Sequence, residues 1–111
     1  MSIKEKIGFI KNKEKDGVKN DNGKPLVAEF LLDFGPEIME AARVWEFGAN
    51  KYEKSNWKKV KNGKERYMNA LVRHLIESEY EEVDEESGLS HLTHAVFNAL
   101  AALHFEMEGK K

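Results

Sequence analysis

The sequence contains no cysteine, which excludes a disulfide framework and a thiolate metal site. No apolar segment reaches the length of a transmembrane helix or of a signal-peptide core. Neither charge is in large excess, because 18 basic and 20 acidic residues leave a formal net charge of −2. The protein therefore has no overall field that would attract nucleic acid or an anionic membrane. We expect a cytoplasmic protein that binds neither a membrane nor a nucleic acid.

The length and composition predict one small domain. At 111 residues and 12.8 kDa, the chain can form a single core but has little area to spare. Residues 1–25 are mostly polar, with a turn signal at Asn22-Gly23, and predict either an exposed arm or a short hairpin. Pro36 fits the first turn of a helix that Gly48 would end. We expect residues 1–111 to form one all-α domain.

The clearest pattern is a pair of helices joined by a turn at Ser87-Gly88. Residues 66–82 and 89–107 each repeat apolar side chains at helical spacing, which predicts one core-facing stripe on each helix. The stripes comprise Met68, Leu71, Val72, Leu75 and Ile76 in the first helix, and Leu89, Leu92, Val96, Leu100, Leu103 and Met107 in the second. A second face of each helix carries chemically active side chains.

That second face combines histidines and carboxylates, which bind divalent metals and transfer protons. In an antiparallel hairpin, residues at equal distances from the turn lie opposite each other. The predicted pairs are Glu81 with His91, Glu77 with His94, and His74 with Asn98, and Asp84 and Glu86 would lie over the turn end of this row. Such a row could hold one or two Mg²⁺ or Mn²⁺ ions, with histidine as a ligand or proton carrier. The alternative is a solvated face whose charges only keep the helices soluble.

A second group of side chains lies in residues 47–59, which follow no sustained period. The group mixes rings, amides and ammonium groups, namely Asn50, Lys51, Tyr52, Asn56, Trp57 and Lys58. Such a set suits a nucleotide, because rings stack on bases and lysines neutralise phosphates. The alternative is that Tyr52 and Trp57 anchor a long loop to the core. The sequence has no Walker A loop, dinucleotide-binding glycine motif, zincin motif, nucleophile elbow or adjacent His-Asp pair.

The order of these elements resembles a known family. The segments F-G-A-N-K-Y-x3-N-W-K, R-H-L and E-x2-D-x-E-S-G-x2-H-L-x2-A, followed by Asn98, are similar to small phage and prophage proteins. These form a dATP/dGTP diphosphohydrolase-like family near the MazG-type all-α nucleoside triphosphate pyrophosphohydrolases. The similarity covers about residues 23–105. Its motifs include Lys51, Tyr52, Asn56, Trp57, His74, Glu81, Asp84, Glu86, His91, His94 and Asn98.

The resemblance implies hydrolysis of a deoxynucleoside triphosphate to its monophosphate and pyrophosphate. It also implies Mg²⁺ or Mn²⁺ bound by helix carboxylates, a site completed by oligomerisation, and the host cytoplasm as the location of a phage-encoded protein. The sequence departs from the MazG-type pattern in one respect. His91-x-x-His94 stands on the second helix of the hairpin, where the MazG-type enzymes carry an acidic pair.

We therefore assign roles to individual residues. The predicted metal ligands are Glu81, Asp84 and His91, with Glu40 on the preceding helix as a further candidate. The predicted general base is His74 or Glu77. The predicted substrate-binding residues are Lys51, Tyr52, Asn56, Trp57, Lys58, His94 and Asn98.

Two stripes on three helices cannot close a large core, so we expect self-association. A homodimer or homotetramer would bury Trp45, Leu71, Leu75, Leu92 and Val96. The alternative function is that of a non-catalytic phage accessory protein, which would bind a nucleotide or a host protein without turnover.

Overall fold

Four α-helices make up most of residues 16–110. The computed structural model describes residues 2–3 and 16–110. Within these residues there is no strand, only an isolated antiparallel bridge between Val83 and Ser90. The helices are α1 (Val27–Asp33), α2 (Gly35–Lys51), α3 (Gly63–Glu77) and α4 (His91–Glu108), with a 3-10 turn at Asn56–Lys59 before α3. The predicted all-α fold is confirmed.

The N-terminal prediction lies partly outside the described residues, which omit residues 1 and 4–15. The predicted turn at Asn22-Gly23 is present, because the Lys24 N–H donates to the Asp21 carbonyl at 3.1 Å. Gly23 adopts φ 79°, a left-handed conformation that glycine enters without strain. None of the described helices is both long and apolar enough to cross a membrane.

The structure changes two predicted helix ends. Pro36 lies in the first turn of α2 as predicted, but Gly48 does not end that helix. The helix continues to Lys51 because a glycine inside a helix costs only about 1 kcal/mol relative to alanine. The predicted helix over residues 66–82 ends at Glu77 instead. The acidic run that follows it would be repelled by the negative carboxyl end of a longer helix.

In the hairpin of α3 and α4, the exposed and buried faces are the reverse of those predicted. Both predicted stripes were expected to face the core, yet most of their side chains are 42–60% exposed. We call these exposed side chains the apolar outer face, namely Met68, Val72, Leu75, Ile76, Leu92, Val96, Leu100, Leu103 and Met107. The buried side of the hairpin carries His74, His91, His94 and Asn98. Helical spacing shows that two faces exist, but it does not show which of them meets the rest of the chain.

The core of the described chain is correspondingly small. Its buried hydrophobic residues are Val44, Ala95, Ala101 and Ala102. Three of these are alanines on α4, and their small side chains allow the neighbouring helices to approach closely. Helix α4 packs against both α3 and α2. This arrangement places the polar inner side of the hairpin next to the carboxyl-terminal half of α2.

Candidate functional site

The start of α4 fixes the position of two histidines. Ser90 is the N-cap, and its hydroxyl oxygen accepts a hydrogen bond from the Thr93 N–H at 3.0 Å. His91 is therefore the first residue of the helix, and His94 follows one turn later on the same face. His74 lies in the last turn of α3 and meets both of them from across the hairpin.

These three residues form what we call the imidazole cluster (His74, His91 and His94). Nδ1 of His74 and Nδ1 of His91 are 2.9 Å apart. The rings of His74 and His94 are nearly parallel, with centroids 4.5 Å apart and an interplanar angle of 9°. His91 is only 1% exposed. Imidazole nitrogens in such a buried position have few partners except one another and the carboxylates beside them.

Two of these carboxylates come from the end of α3 and the connection after it. Oε1 of Glu81 lies 3.1 Å from Nε2 of His91, which confirms the predicted pairing of these residues. The other predicted pairs are displaced by about one turn. Oε2 of Glu77 lies 3.4 Å from Nδ1 of His91, and His74 stacks on His94 where Asn98 was predicted. The displacement arises because α3 ends early and the connection to α4 is longer than a simple turn.

That connection is ordered by its own hydrogen bonds and brings Asp84 over the cluster. Oδ2 of Asp84 accepts from the Ser87 N–H at 2.9 Å, and the Asp84 carbonyl accepts from the Gly88 N–H at 2.8 Å. Gly88 has φ 74°, which a residue with a β-carbon would adopt only with strain. The Ser87 hydroxyl lies 2.6 Å from Nε2 of His94, and Oδ2 of Asp84 lies 3.8 Å from the same nitrogen.

Burial affects the protonation of two histidines of the cluster, His74 and His94. It is the main reason that the pKa of His74 is lowered below its ordinary value, and the neighbouring His94 and Arg73 lower it further. Burial likewise lowers the pKa of His94, against the opposing effect of Asp84. Burial alone would raise the pKa of Asp84, but hydrogen bonds from Ser87 outweigh it and lower that pKa. Neutral imidazoles beside an ionised carboxylate are the protonation states in which these groups bind metals.

Two sets of possible metal ligands follow from this geometry, and both contain His91. The inner donor group is His74, Asp84 and His91, and the outer donor group is Glu77, Glu81 and His91. Within each group, one ligand atom from every residue lies within 4.8 Å of the others. Both groups thus fit a divalent cation by donor chemistry and by spacing. Glu40 belongs to neither group and instead pairs with Arg43 on the exposed side of α2.

A cavity of about 220 Å³ opens beside the cluster, between α2, α3 and α4. His74, His94 and Asn98 line it from the hairpin, and four of the predicted nucleotide-binding residues line it from the other side. Those four residues are Lys51, Tyr52, Asn56 and Trp57. The structure therefore joins the two groups of residues that the sequence presented separately. Lys58 is exposed and does not line the cavity; its ammonium lies 5.7 Å from the centre of the Trp57 ring.

Several lining residues were missed by the sequence analysis. They are Val44, Trp45, Phe47, Tyr67, Arg73 and Phe97, among others. Arg73 adds a second cation near the cavity and lies 3.9 Å from Glu77. Arg73 could have been predicted as a site residue, because it directly precedes His74 and both residues lie in the last turns of α3. The aromatic residues carried no such signal, since their spacing is equally typical of core positions.

Trp57 has a double role in the cavity wall. Its ring makes edge-to-face contacts with His104 at 4.9 Å, Phe97 at 6.0 Å and Phe105 at 6.3 Å. Tyr67 stacks on the Phe105 ring and donates a hydrogen bond to the Trp57 carbonyl. Among the described residues, the buried indole N–H of Trp57 has no hydrogen-bond partner. Trp57 thus packs in an aromatic cluster while one side of it faces the cavity.

An ion pair lies beside the cavity and involves one of its lining residues, Lys51. The Lys51 ammonium is bonded to the Glu86 carboxylate, and this hydrogen bond is the main reason that the pKa of Lys51 is raised. Both side chains are largely in solvent. The contact ties the end of α2 to the connection that carries Asp84 and Ser87.

The sequence of the chain that forms this cluster and cavity matches a known family. Residues 14–111 match the family described as dATP/dGTP diphosphohydrolase, N-terminal, and the chain belongs to that family. It is 38% identical over 80 residues to the dATP/dGTP diphosphohydrolase of Salmonella phage PMBT28. The similarity covers 71% of this chain but only 26% of that relative. No solved structure matches the chain.

Proposed function

We propose that the chain hydrolyses deoxynucleoside triphosphates to the monophosphate and pyrophosphate, with a divalent cation, Mg²⁺ or Mn²⁺, at the cluster. The observation that carries the proposal is the shared wall of the cavity, where His74 and His94 face the same space as Lys51 and Tyr52. Family membership supports a nucleotide substrate, since the matched relative is named for dATP and dGTP. Because the chain spans about a quarter of that relative, the activity of this chain itself is part of the proposal.

The cavity residues would bind the nucleotide in a defined direction. Tyr52 is exposed at the rim, where its ring can stack on a base. Asn98 is buried, and its amide nitrogen donates to the His94 carbonyl at 2.9 Å, so its orientation is fixed. Lys51 and Arg73 would meet the phosphates, with Lys51 exchanging its bond to Glu86 for a phosphate oxygen. The triphosphate would then lie toward the imidazole cluster.

The reaction requires a water molecule to attack the α-phosphorus while the bond to the β-phosphate oxygen breaks. A bound divalent cation would neutralise phosphate charge and lower the pKa of a bound water. Glu77 is the better general base of the two candidates, because its side chain is 38% exposed and is therefore accessible to a water molecule beside the cluster. The His74 side chain is 7% exposed and already engaged with His91. Glu77 would accept the proton of the attacking water, and pyrophosphate would leave.

The test is incubation of the folded chain with each deoxynucleoside triphosphate and Mg²⁺ or Mn²⁺, followed by separation of the products. We expect pyrophosphate and the monophosphate in equal amounts. Glu77→Gln should reduce the rate by about 10²–10⁴-fold, the usual contribution of a general base. The matched control is Glu79→Gln, which alters an exposed glutamate two residues away. Absence of pyrophosphate from every nucleotide, with a folded sample, would refute the proposal.

We also propose that a second copy of the chain covers the apolar outer face. Its nine side chains are each about half exposed and present on the order of 800 Å², which matches the area that each partner contributes to a standard interface. A groove lined by Met68, Leu71 and Leu103 crosses from α3 to α4, so the two stripes form one surface. A monomer with this surface in water would bury only one valine and three alanines among its described hydrophobic residues. Such a core is small for an independent domain.

A further inference from the structure

The inner and outer donor groups differ in the atoms that they offer to a cation. The outer donor group supplies two carboxylates and one imidazole, whereas the inner donor group supplies two imidazoles and one carboxylate. We propose that the inner donor group, His74, Asp84 and His91, binds a resident first-row transition metal ion such as Zn²⁺ or Co²⁺ in preference to Mg²⁺. The proposal refines the cation of the proposed function and rests on that function only for the catalytic use of the ion.

Ligand chemistry is the first reason for this preference. Mg²⁺ favours carboxylate, carbonyl and water oxygens and is reluctant to lose its water. Imidazole nitrogen suits zinc, cobalt, nickel and iron, whose affinity for such ligands rises along the first row. Two histidines and one carboxylate leave coordination positions open for water or substrate. The inner donor group therefore has the composition of a transition-metal site with room for a reacting molecule.

The spacing of the two imidazoles is the second reason. Nδ1 of His74 and Nδ1 of His91 are separated by 2.9 Å. Two nitrogens bound to the same metal at about 2.1 Å lie roughly 3.0 Å apart at a bond angle near 90° and roughly 3.4 Å apart in a tetrahedral site. The same two nitrogens are joined by one hydrogen bond when no metal is present. Replacing that proton by a cation would need little movement of either ring.

The support around His91 is the third reason. A carboxylate can only accept, so the His91 ring donates Nε2–H to Glu81. In a neutral ring this bond leaves the lone pair of Nδ1 for His74 or a metal. A metal-binding histidine usually donates its other N–H to a carboxylate in this way. Glu81, which the sequence analysis named as a ligand, thereby becomes a positioning residue for His91. Asp84 is similarly held by the Ser87 N–H.

The first experiment uses the wild-type chain without nucleotide. After treatment with a chelator and removal of that chelator, the chain is titrated with Co²⁺ and followed by visible absorption. We expect one Co²⁺ per chain with the absorption of a nitrogen-ligated ion, displaced by one equivalent of Zn²⁺. A hundredfold molar excess of Mg²⁺ over Co²⁺ should displace less than a tenth of it. Loss of the Co²⁺ signal on adding Mg²⁺, or no saturable Co²⁺ binding, would overturn the proposal.

Variants then locate the ion. His74→Ala and Asp84→Asn should each weaken Co²⁺ binding at least tenfold, and Glu81→Ala should weaken it by about 10–100-fold through loss of the support to His91. His104→Ala is the matched histidine control, because His104 packs beside Trp57 and belongs to neither donor group. Circular dichroism identifies any variant that fails to fold. If His74→Ala fails to fold, Asp84→Asn provides the test, because that substitution barely changes the side-chain volume. Equal binding by Asp84→Asn and His104→Ala would show that the ion lies elsewhere.

Glu77→Gln separates this proposal from the proposed function. Glu77 belongs only to the outer donor group, so the variant should bind Co²⁺ as the wild type does while losing turnover. If Glu77→Gln loses Co²⁺ as well, the outer donor group holds the ion and the proposal fails. If the wild type binds Co²⁺ but releases no pyrophosphate, the metal site stands and the proposed hydrolysis fails.

Discussion

Tyr52 and Trp57 lie five residues apart and both line the cavity, but their other contacts differ. Tyr52 is 63% exposed and has a lysine ammonium 5.3 Å from its ring centre. Trp57 packs against Phe97, His104 and Phe105. At this scale the structure supports different roles, with Tyr52 available for stacking and Trp57 also serving to hold the 3-10 turn on the hairpin.

The two alanine variants should separate these roles. Trp57→Ala should destabilise the fold by about 3–5 kcal/mol, the usual cost of removing a packed large aromatic side chain. Tyr52→Ala should leave the melting temperature nearly unchanged and weaken nucleotide binding by about 1–3 kcal/mol. Thermal denaturation without ligand and nucleotide titration measure the two effects. An unchanged melting temperature for Trp57→Ala would contradict the packing role.

Some contacts between site residues could be predicted from the sequence, and others could not. The pairing of Glu81 with His91 was predicted because both residues flank the same turn at equal distances. The contact of His74 with His91 was not, since it depends on α3 ending at Glu77 and on the hydrogen bonds of Asp84 and Ser87 in the connection. These hydrogen bonds are individually weak and local, and the spacing of apolar residues does not predict them.

At the scale of the helices, Gly63 and Gly48 allow the same substitution to be compared at a packed and at an open position. A β-carbon at Gly63, the first residue of α3, would overlap the Phe105 ring, whereas one at Gly48 in α2 would meet nothing within 4 Å. Gly63→Ala should therefore destabilise the fold by about 1–3 kcal/mol through overpacking of α3 against α4. Gly48→Ala should stabilise it by about 0.5–1 kcal/mol, because alanine restricts the unfolded chain and favours the helix.

Thermal melts of both variants would measure these changes. Circular dichroism at low temperature would confirm that each variant retains its helices. A gain in stability for Gly63→Ala would mean that the Phe105 ring moves aside freely and that the α3–α4 contact is loosely packed.

Helix existence was predictable here, but helix orientation was not. The 3.6-residue period of Leu92, Val96, Leu100 and Leu103 identified α4, and the cap at Ser90 starts it near the predicted position. The same period also predicted that this stripe faces the core, which is wrong for the single chain. Amphipathic spacing predicts only that an apolar face will be covered. The residues that cover it can belong to another chain.

At the scale of the whole molecule, the apolar outer face makes self-association testable. We expect sedimentation of the wild type to show a dimer or larger assembly at micromolar concentration. Leu100→Glu places a charge in the middle of the face and should shift the chain toward monomer, since an unpaired buried charge costs several kcal/mol. Val18→Glu adds the same charge at a side chain that is 97% exposed and should leave the assembly intact. A stable wild-type monomer would rule out the second copy.

The small core of Val44 and the α4 alanines has a consequence for the speed of folding. When most of the apolar burial forms between two chains, the collision of those chains becomes part of the refolding reaction. Such a reaction is second order, so its half-time shortens as the protein concentration rises. If the proposed second copy covers the apolar outer face, dilution would do more than separate the subunits. It would also prolong the time that each new chain spends with its leucines and methionines in water.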